Sequence, residues 1–83
     1  MTKIPEKYQM DFDAQLFYLL IEKSPRTVHE ILSETGFNLN IVKSRIDRFS
    51  RLGLIELEKK EIYQLSLVSI HKDKIEAAKS FLY

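Results

Sequence analysis

The chain has 83 residues, no cysteine and a formal net charge of +1 at pH 7. That length fills one hydrophobic core, so we expect a single domain over residues 1–83. The lack of cysteine excludes disulfides, a thiol nucleophile and a cysteine-bound zinc site. The longest apolar run, residues 16–21, is far shorter than the roughly 20 residues of a membrane span. With no secretory signal at the start, we expect a cytoplasmic protein without a membrane partner.

The small net charge conceals an uneven distribution. Residues 1–37 and 53–66 are both slightly acidic. The positive charge is concentrated in residues 38–52, which contain Lys43, Arg45, Arg48 and Arg51 against one acid, Asp47. Nucleic-acid binders gather basic residues on one surface, so this segment is the first candidate for a binding surface.

The apolar surface of the first predicted helix is wider than a single stripe. Residues 1–10 show no periodic pattern and are interpreted as an arm. From residue 11 or 13 to residue 23, apolar side chains recur at helical spacing. Phe17, Tyr18 and Ile21 extend the apolar surface to a second face. That face must be covered, either by the C-terminal segment or by another subunit.

The next two predicted helices have clear end signals. Thr27 and Glu30 have the spacing of a capping box, so a second helix begins after Thr27. Gly36 suits the left-handed turn that ends it, and Asn38 or Asn40 caps the third helix. Two short helices joined by a glycine-containing turn predict a helix-turn-helix.

The third predicted helix separates an inward from an outward side. The inward side repeats at spacings of three and four through Leu39, Val42, Ile46, Phe49 and Gly53. At roughly 100° per residue, the outward side carries Asn40, Ser44, Arg48 and Arg51, flanked by Lys43, Ile41 and Asp47. We expect the outward side to meet a partner.

After residue 53 the apolar period changes to two, on odd positions from 55 to 67, which predicts a β-hairpin. Residues that face each other in an antiparallel pair lie on the same side of the sheet. Odd positions must therefore pair with odd ones, which needs a loop with an odd number of residues. A three-residue loop of Lys59, Lys60 and Glu61 fits and places two lysines at its tip.

The elements together predict an α+β fold with a three-helix core, a two-stranded hairpin and an additional C-terminal helix. Residues 11–67 form the core. The last helix begins at residue 71 or 72, with Ile75, Ala78 and Leu82 on one stripe. Residues 71–83 are thus a candidate dimerisation element.

This order of short elements resembles the winged helix-turn-helix superfamily of transcription factors. The resemblance rests on residues 26–32 (RTVHEIL), 36–38 (GFN) and 42–55 (VKSRIDRFSRLGLI). The last stretch is similar to bacterial and archaeal repressors, including leucine-responsive-type regulators, in which an Arg-Ile and an Arg-Leu pair precede Gly-Leu-Ile or Gly-Val-Ile. Here the second pair is Arg48-Phe49. Those regulators carry a separate effector-binding domain after the wing. The residues that follow the wing here are too few for such a domain, so we expect no amino-acid sensing.

The resemblance implies that residues 40–52 lie in the major groove of double-stranded DNA. Arg48 and Arg51 are expected to make bidentate hydrogen bonds to guanine edges or to contact phosphates. Asn40 is expected to pair with adenine. The other predicted contacts are Ser44 on the same side, Lys43, Arg26 and Thr27 at phosphates, and Lys59 and Lys60 at the backbone or minor groove.

We therefore expect a DNA-binding transcriptional regulator, a homodimeric repressor with a two-fold symmetric site. The nearly neutral charge and Asp47 on the outward side favour an alternative, a winged-helix protein-protein interaction module within a larger assembly. A monomeric architectural or mobile-element DNA binder is a third interpretation.

The sequence gives no sign of catalysis. His29 and His71 are isolated from other metal ligands. The chain has no nucleophile elbow, phosphate-binding glycine loop or paired catalytic carboxylates. We expect no enzyme activity, no metal and no cofactor.

Overall fold

The computed structural model describes residues 4–82. Its helices are α1 (Phe12–Glu22), α2 (Val28–Thr35), α3 (Leu39–Arg51) and α4 (Ile75–Lys79). Its strands are β1 (Arg26–Thr27), β2 (Ile55–Glu58) and β3 (Leu67–Ile70), and short 3₁₀ turns cover Glu6–Tyr8, Tyr63–Leu65 and Lys72–Lys74. Among the residues described, no helix is both long enough and apolar enough to span a bilayer.

The ends of α2 and α3 form as their local signals predict. The Thr27 hydroxyl accepts a hydrogen bond from the Glu30 backbone N–H at 3.0 Å, and the capping box is complete. Gly36 has a φ of 75° and ends α2 in the left-handed conformation, which costs glycine little. Asn38, rather than Asn40, caps α3. These caps set the angle at which α3 leaves the turn.

One core lies between the three long helices and the sheet. Its fully buried members include Leu16, Phe17, Val28, Ile31, Val42, Ile46 and Val68. The Phe17 ring packs against Phe49 with centroids 4.9 Å apart, and against Phe81 at 4.7 Å. α3 is therefore held through its inward side.

The second apolar face of α1 is covered within the chain. Ile4 and Tyr8 pack with Ala14 and Leu19, and the partly buried Tyr18 and Leu82 join this cluster. Phe17 lies in the core described above, and Ile21 packs against that core. The interpretation of residues 1–10 as an unpacked arm is therefore wrong for residues 4–8, while residues 1–3 lie outside the described part. Residues 4–8 and Leu82 cover this face, so it gives no support to a second subunit.

The C-terminal helix is shorter than predicted. α4 ends at Lys79 instead of continuing to residue 82, and Tyr83 lies outside the described residues. The Ser80 hydroxyl donates to the Ala77 carbonyl at 2.6 Å, and the next amides bond three residues back instead of four. This tightening ends the helix and brings Phe81 onto the core.

The sheet has the order β1-β3-β2, with both pairs antiparallel. The predicted three-residue hairpin loop is wrong, because β2 ends at Glu58 and β3 begins only at Leu67. Leu57 faces Val68, so odd positions pair with even ones across the loop of residues 59–66. The fully buried Val68, not the half-buried Leu67, fills the core.

Candidate nucleic-acid interface

The predicted contact residues of α3 lie together on its outward side. Val42, Ile46 and Phe49 are buried beneath the helix. The exposed residues opposite them are Asn40, Lys43, Ser44, Arg48 and Arg51. We call these five residues the α3 outer face. Asp47 is half-buried on the same side.

Arg48 and Arg51 keep their charges available. Among residues 4–82, neither forms an ion pair or hydrogen bond. Both lie in the last turn of α3, where the negative end of the helix dipole favours cations. Arg51 also lines a cleft of about 550 Å³ with Lys59 and Asp47. The hairpin thus adds one lysine beside the end of the α3 outer face.

The loop of residues 59–66 lies against α2 and reaches α3 through Tyr63, which sequence patterning had assigned to a strand. The Lys43 ammonium lies 5.3 Å from the centroid of the Tyr63 ring, a cation–π distance. The Tyr63 hydroxyl is buried and has no hydrogen-bond partner among residues 4–82. Burial, and then the charge of Asp47, raise the pKa of Tyr63 to about 12. Tyr63 is therefore a neutral contact that orients Lys43.

Two basic side chains of the hairpin region, Lys60 and His71, have acidic neighbours. The Lys60 ammonium lies 2.7 Å from a Glu58 carboxylate oxygen. His71 Nε2 lies 2.7 Å from Glu56 Oε1 across the strands. Lys59 has no such ion pair within the described residues. Of the two predicted lysine contacts, Lys60 is already partly neutralised.

Arg26 and Thr27 serve the fold. The expectation that Arg26 contacts phosphates is contradicted, because Arg26 is only 4% exposed. Its Nε donates to the Leu19 carbonyl at 2.9 Å, and Nη1 lies 3.7 Å from Glu30. The Thr27 hydroxyl is occupied by the capping box. Arg26 therefore ties the end of α1 to the start of α2 and is removed from the candidate interface.

Two further residues border the α3 outer face. Arg45 Nε lies 3.6 Å from Asp13 Oδ1 in the first turn of α1. Burial raises the pKa of Asp13, while the charge of Arg45 opposes that shift. Arg45 belongs to the basic segment seen in the sequence, but no local pattern indicates Asp13 as its partner.

The described residues contain no group of three or more His, Cys, Asp or Glu side chains placed to hold a metal ion. The α3 outer face exposes the basic side chains of Lys43, Arg48 and Arg51. Such side chains can donate hydrogen bonds and form ion pairs with an anion.

Comparisons with known proteins bear on the fold. No protein-family model matches the chain, and no curated protein matches its sequence. The crystal structure of the YusO protein from Bacillus subtilis is similar, with a TM-score of 0.71, 15% sequence identity and 92% of this chain covered. The chain spans 56% of the length of that structure. With the hairpin beside α3, this likeness confirms the predicted winged-helix-like α+β fold.

Proposed function

We propose that the protein is a transcriptional regulator that binds double-stranded DNA through the α3 outer face. The observation that supports this most is the exposure of two unpaired arginines, Arg48 and Arg51, on a helix whose other side is buried. A winged-helix-like fold presents such a helix at the surface, and a major groove about 12 Å wide admits it.

The α3 outer face divides into two parts by position. α3 has 13 residues, so it is about 20 Å long. Residues in the first turns of a recognition helix contact base edges, which assigns reading to Asn40 and Ser44. Arg48, Arg51 and Lys59 lie toward the other end and suit phosphates. Lys43 joins them from the side of Tyr63.

The proposal includes a homodimer that represses by covering its site. A two-fold dimer would present two copies of α3 to half-sites about 10 base pairs, or a multiple of that, apart. Since residues 4–8 and Leu82 cover the second face of α1, the dimer contact would use other exposed surface. Sedimentation of the purified protein tests this part separately.

Binding to random-sequence duplex DNA at several salt concentrations tests the proposal. Four phosphate contacts per subunit predict a log–log salt slope of about −3.6 per subunit. Arg48→Ala should weaken binding, whereas Lys23→Ala, which removes a charge at the end of α1, should not. Selection from the bound pool should then enrich a two-fold motif. No binding at low salt would contradict the proposal.

One observation favours a second candidate, the protein-protein interaction module. The loop of residues 59–66 exposes two large apolar side chains, with Ile62 61% and Leu65 54% accessible. Exposed apolar side chains suit a protein surface better than a phosphate backbone. Absence of DNA binding at low salt, with the fold intact, would make this the leading candidate.

A further inference from the structure

Asp13 faces the flank of α3 from the first turn of α1. Its Oδ1 lies 3.6 Å from Arg45 Nε, close enough for an ion pair but too far for a hydrogen bond. The side chains are 23% and 41% exposed respectively. The pair joins α1 to the helix proposed to enter the groove.

The carboxylate of Asp13 is poorly compensated by the fold. Its Oδ1 is buried, and no hydrogen bond reaches it from any of residues 4–82. Burial raises its pKa most; Asp11 adds to the rise, while Arg45 and Arg48 oppose it. A carboxylate that loses hydration without gaining hydrogen bonds costs stability. The Asp13–Arg45 pair therefore contributes little to the stability of the fold.

Asp13 also lies close to the reading part of the α3 outer face. Asp13 and Arg45 line a cleft of about 800 Å³ together with Asn40, Ile41 and Ser44. A phosphate of a duplex laid along these residues would compete with Asp13 for the Arg45 guanidinium. While Arg45 is held toward α1, its guanidinium is less free to make a strong charge-assisted bond to that phosphate.

We propose that Asp13 is a positioning residue that holds Arg45 beside α1 and so limits the sequence-independent affinity of α3 for DNA. This inference rests on the proposed function. Phosphate contacts supply non-specific affinity, and base contacts supply specificity. By withholding one phosphate contact, Asp13 raises the share of the binding free energy that comes from base edges.

The test is Asp13→Asn, measured on random-sequence duplex across a salt series. We expect a three- to tenfold gain in affinity at low salt and a slope steeper by about 0.9, the value of one added phosphate contact. Glu22→Gln is the matched control, because it removes the same charge from α1 about 14 Å farther along the helix. It should leave the slope unchanged.

The effect must pass through Arg45. In an Arg45→Gln background, Asp13→Asn should raise affinity less than about twofold and leave the slope unchanged, because only the weaker influence of Asp13 on Arg48 remains. An equal gain in that background, or a gain with Glu22→Gln of the same size, would show a general charge effect and overturn the inference. Unchanged or weaker binding by Asp13→Asn would overturn it as well, since Asp13 would then be neutral or would prepare Arg45 for DNA.

A second variant and the wild-type measurement keep these outcomes distinct. Asp13→Ser, which also suits a first helical turn, repeats the test if the asparagine variant melts below the assay temperature. If the wild-type protein binds DNA and neither variant gains affinity, only this inference fails. If the wild-type protein binds no DNA at low salt, the proposed function fails and this inference with it.

Discussion

The α3 outer face and the hairpin both carry cations, yet the fold treats them differently. On α3, Arg48 and Arg51 are exposed and have no ion pair among the described residues. On the hairpin, Lys60 has Glu58 at 2.7 Å and His71 has Glu56 at 2.7 Å. A duplex approaching the hairpin must displace these carboxylates. We therefore expect competing acids, more than the number of cations, to decide where an anionic partner binds.

Arg26 is a third kind of cation, one whose guanidinium is buried and bonded within the fold. Its loss should have the largest effect on stability. Arg26→Ala removes the bond to the Leu19 carbonyl and leaves a gap at a 4% exposed position. We expect the free energy of unfolding to fall by about 2–3 kcal/mol. Urea unfolding measures it, with Lys23→Ala as the exposed control. A stable Arg26→Ala protein with weakened DNA binding would return Arg26 to the interface.

Arg48→Ala should produce the largest loss of DNA affinity with the fold intact. Removing an unpaired guanidinium from the α3 outer face should weaken binding about tenfold, or about 1.4 kcal/mol. Arg48→Lys keeps the charge and should recover part of the loss, because one ammonium replaces a two-pronged donor. Fluorescence anisotropy gives the affinities, and thermal melting checks the fold. Equal binding by all three proteins would remove Arg48 from the interface.

The α2–α3 region was predictable because its signals are local. Thr27, Glu30, Gly36 and Asn38 each act within four residues of their own position. The exposure of Arg48 followed from helical periodicity alone once α3 was assigned. Sequence was therefore sufficient for the part of the site that lies on one helix.

The hairpin and the flanks of the site depend on distant contacts. In the sequence, apolar residues on odd positions continue through Tyr63. In the structure, Tyr63 begins a 3₁₀ turn and its ring contacts Lys43 of α3. The burial of Arg26 depends on a carbonyl of α1, and the position of Arg45 depends on Asp13. No periodicity or turn signal encodes these pairings, since each joins elements that meet only in the folded chain.

Lys60→Gln compares the hairpin with α3 directly and should have only a small effect on DNA affinity. Because Glu58 already neutralises Lys60, the variant should lose less than about twofold in DNA affinity, within the range of an exposed ion pair. Glu58→Gln should act in the opposite direction and raise affinity about twofold, by freeing Lys60. The same anisotropy assay at low salt compares both. A tenfold loss with Lys60→Gln would show that the hairpin contributes as much as α3.

Tyr63 joins the two regions, and the fold should not depend on its hydroxyl. The hydroxyl is buried without a hydrogen-bond partner in residues 4–82, so Tyr63→Phe should raise the free energy of unfolding by about 1 kcal/mol at pH 7, because it removes an uncompensated polar group. The pKa of Tyr63 is raised from 10.0 to about 12, so between these values the unfolded chain loses a proton that the folded chain keeps. The wild-type protein should therefore lose stability relative to Tyr63→Phe as pH rises through that window. Chemical unfolding at pH 9 and pH 11 measures the difference, and the other tyrosines cancel because both proteins contain them. A constant difference would mean that Tyr63 ionises freely, and hence that the hairpin loop is not held against α3.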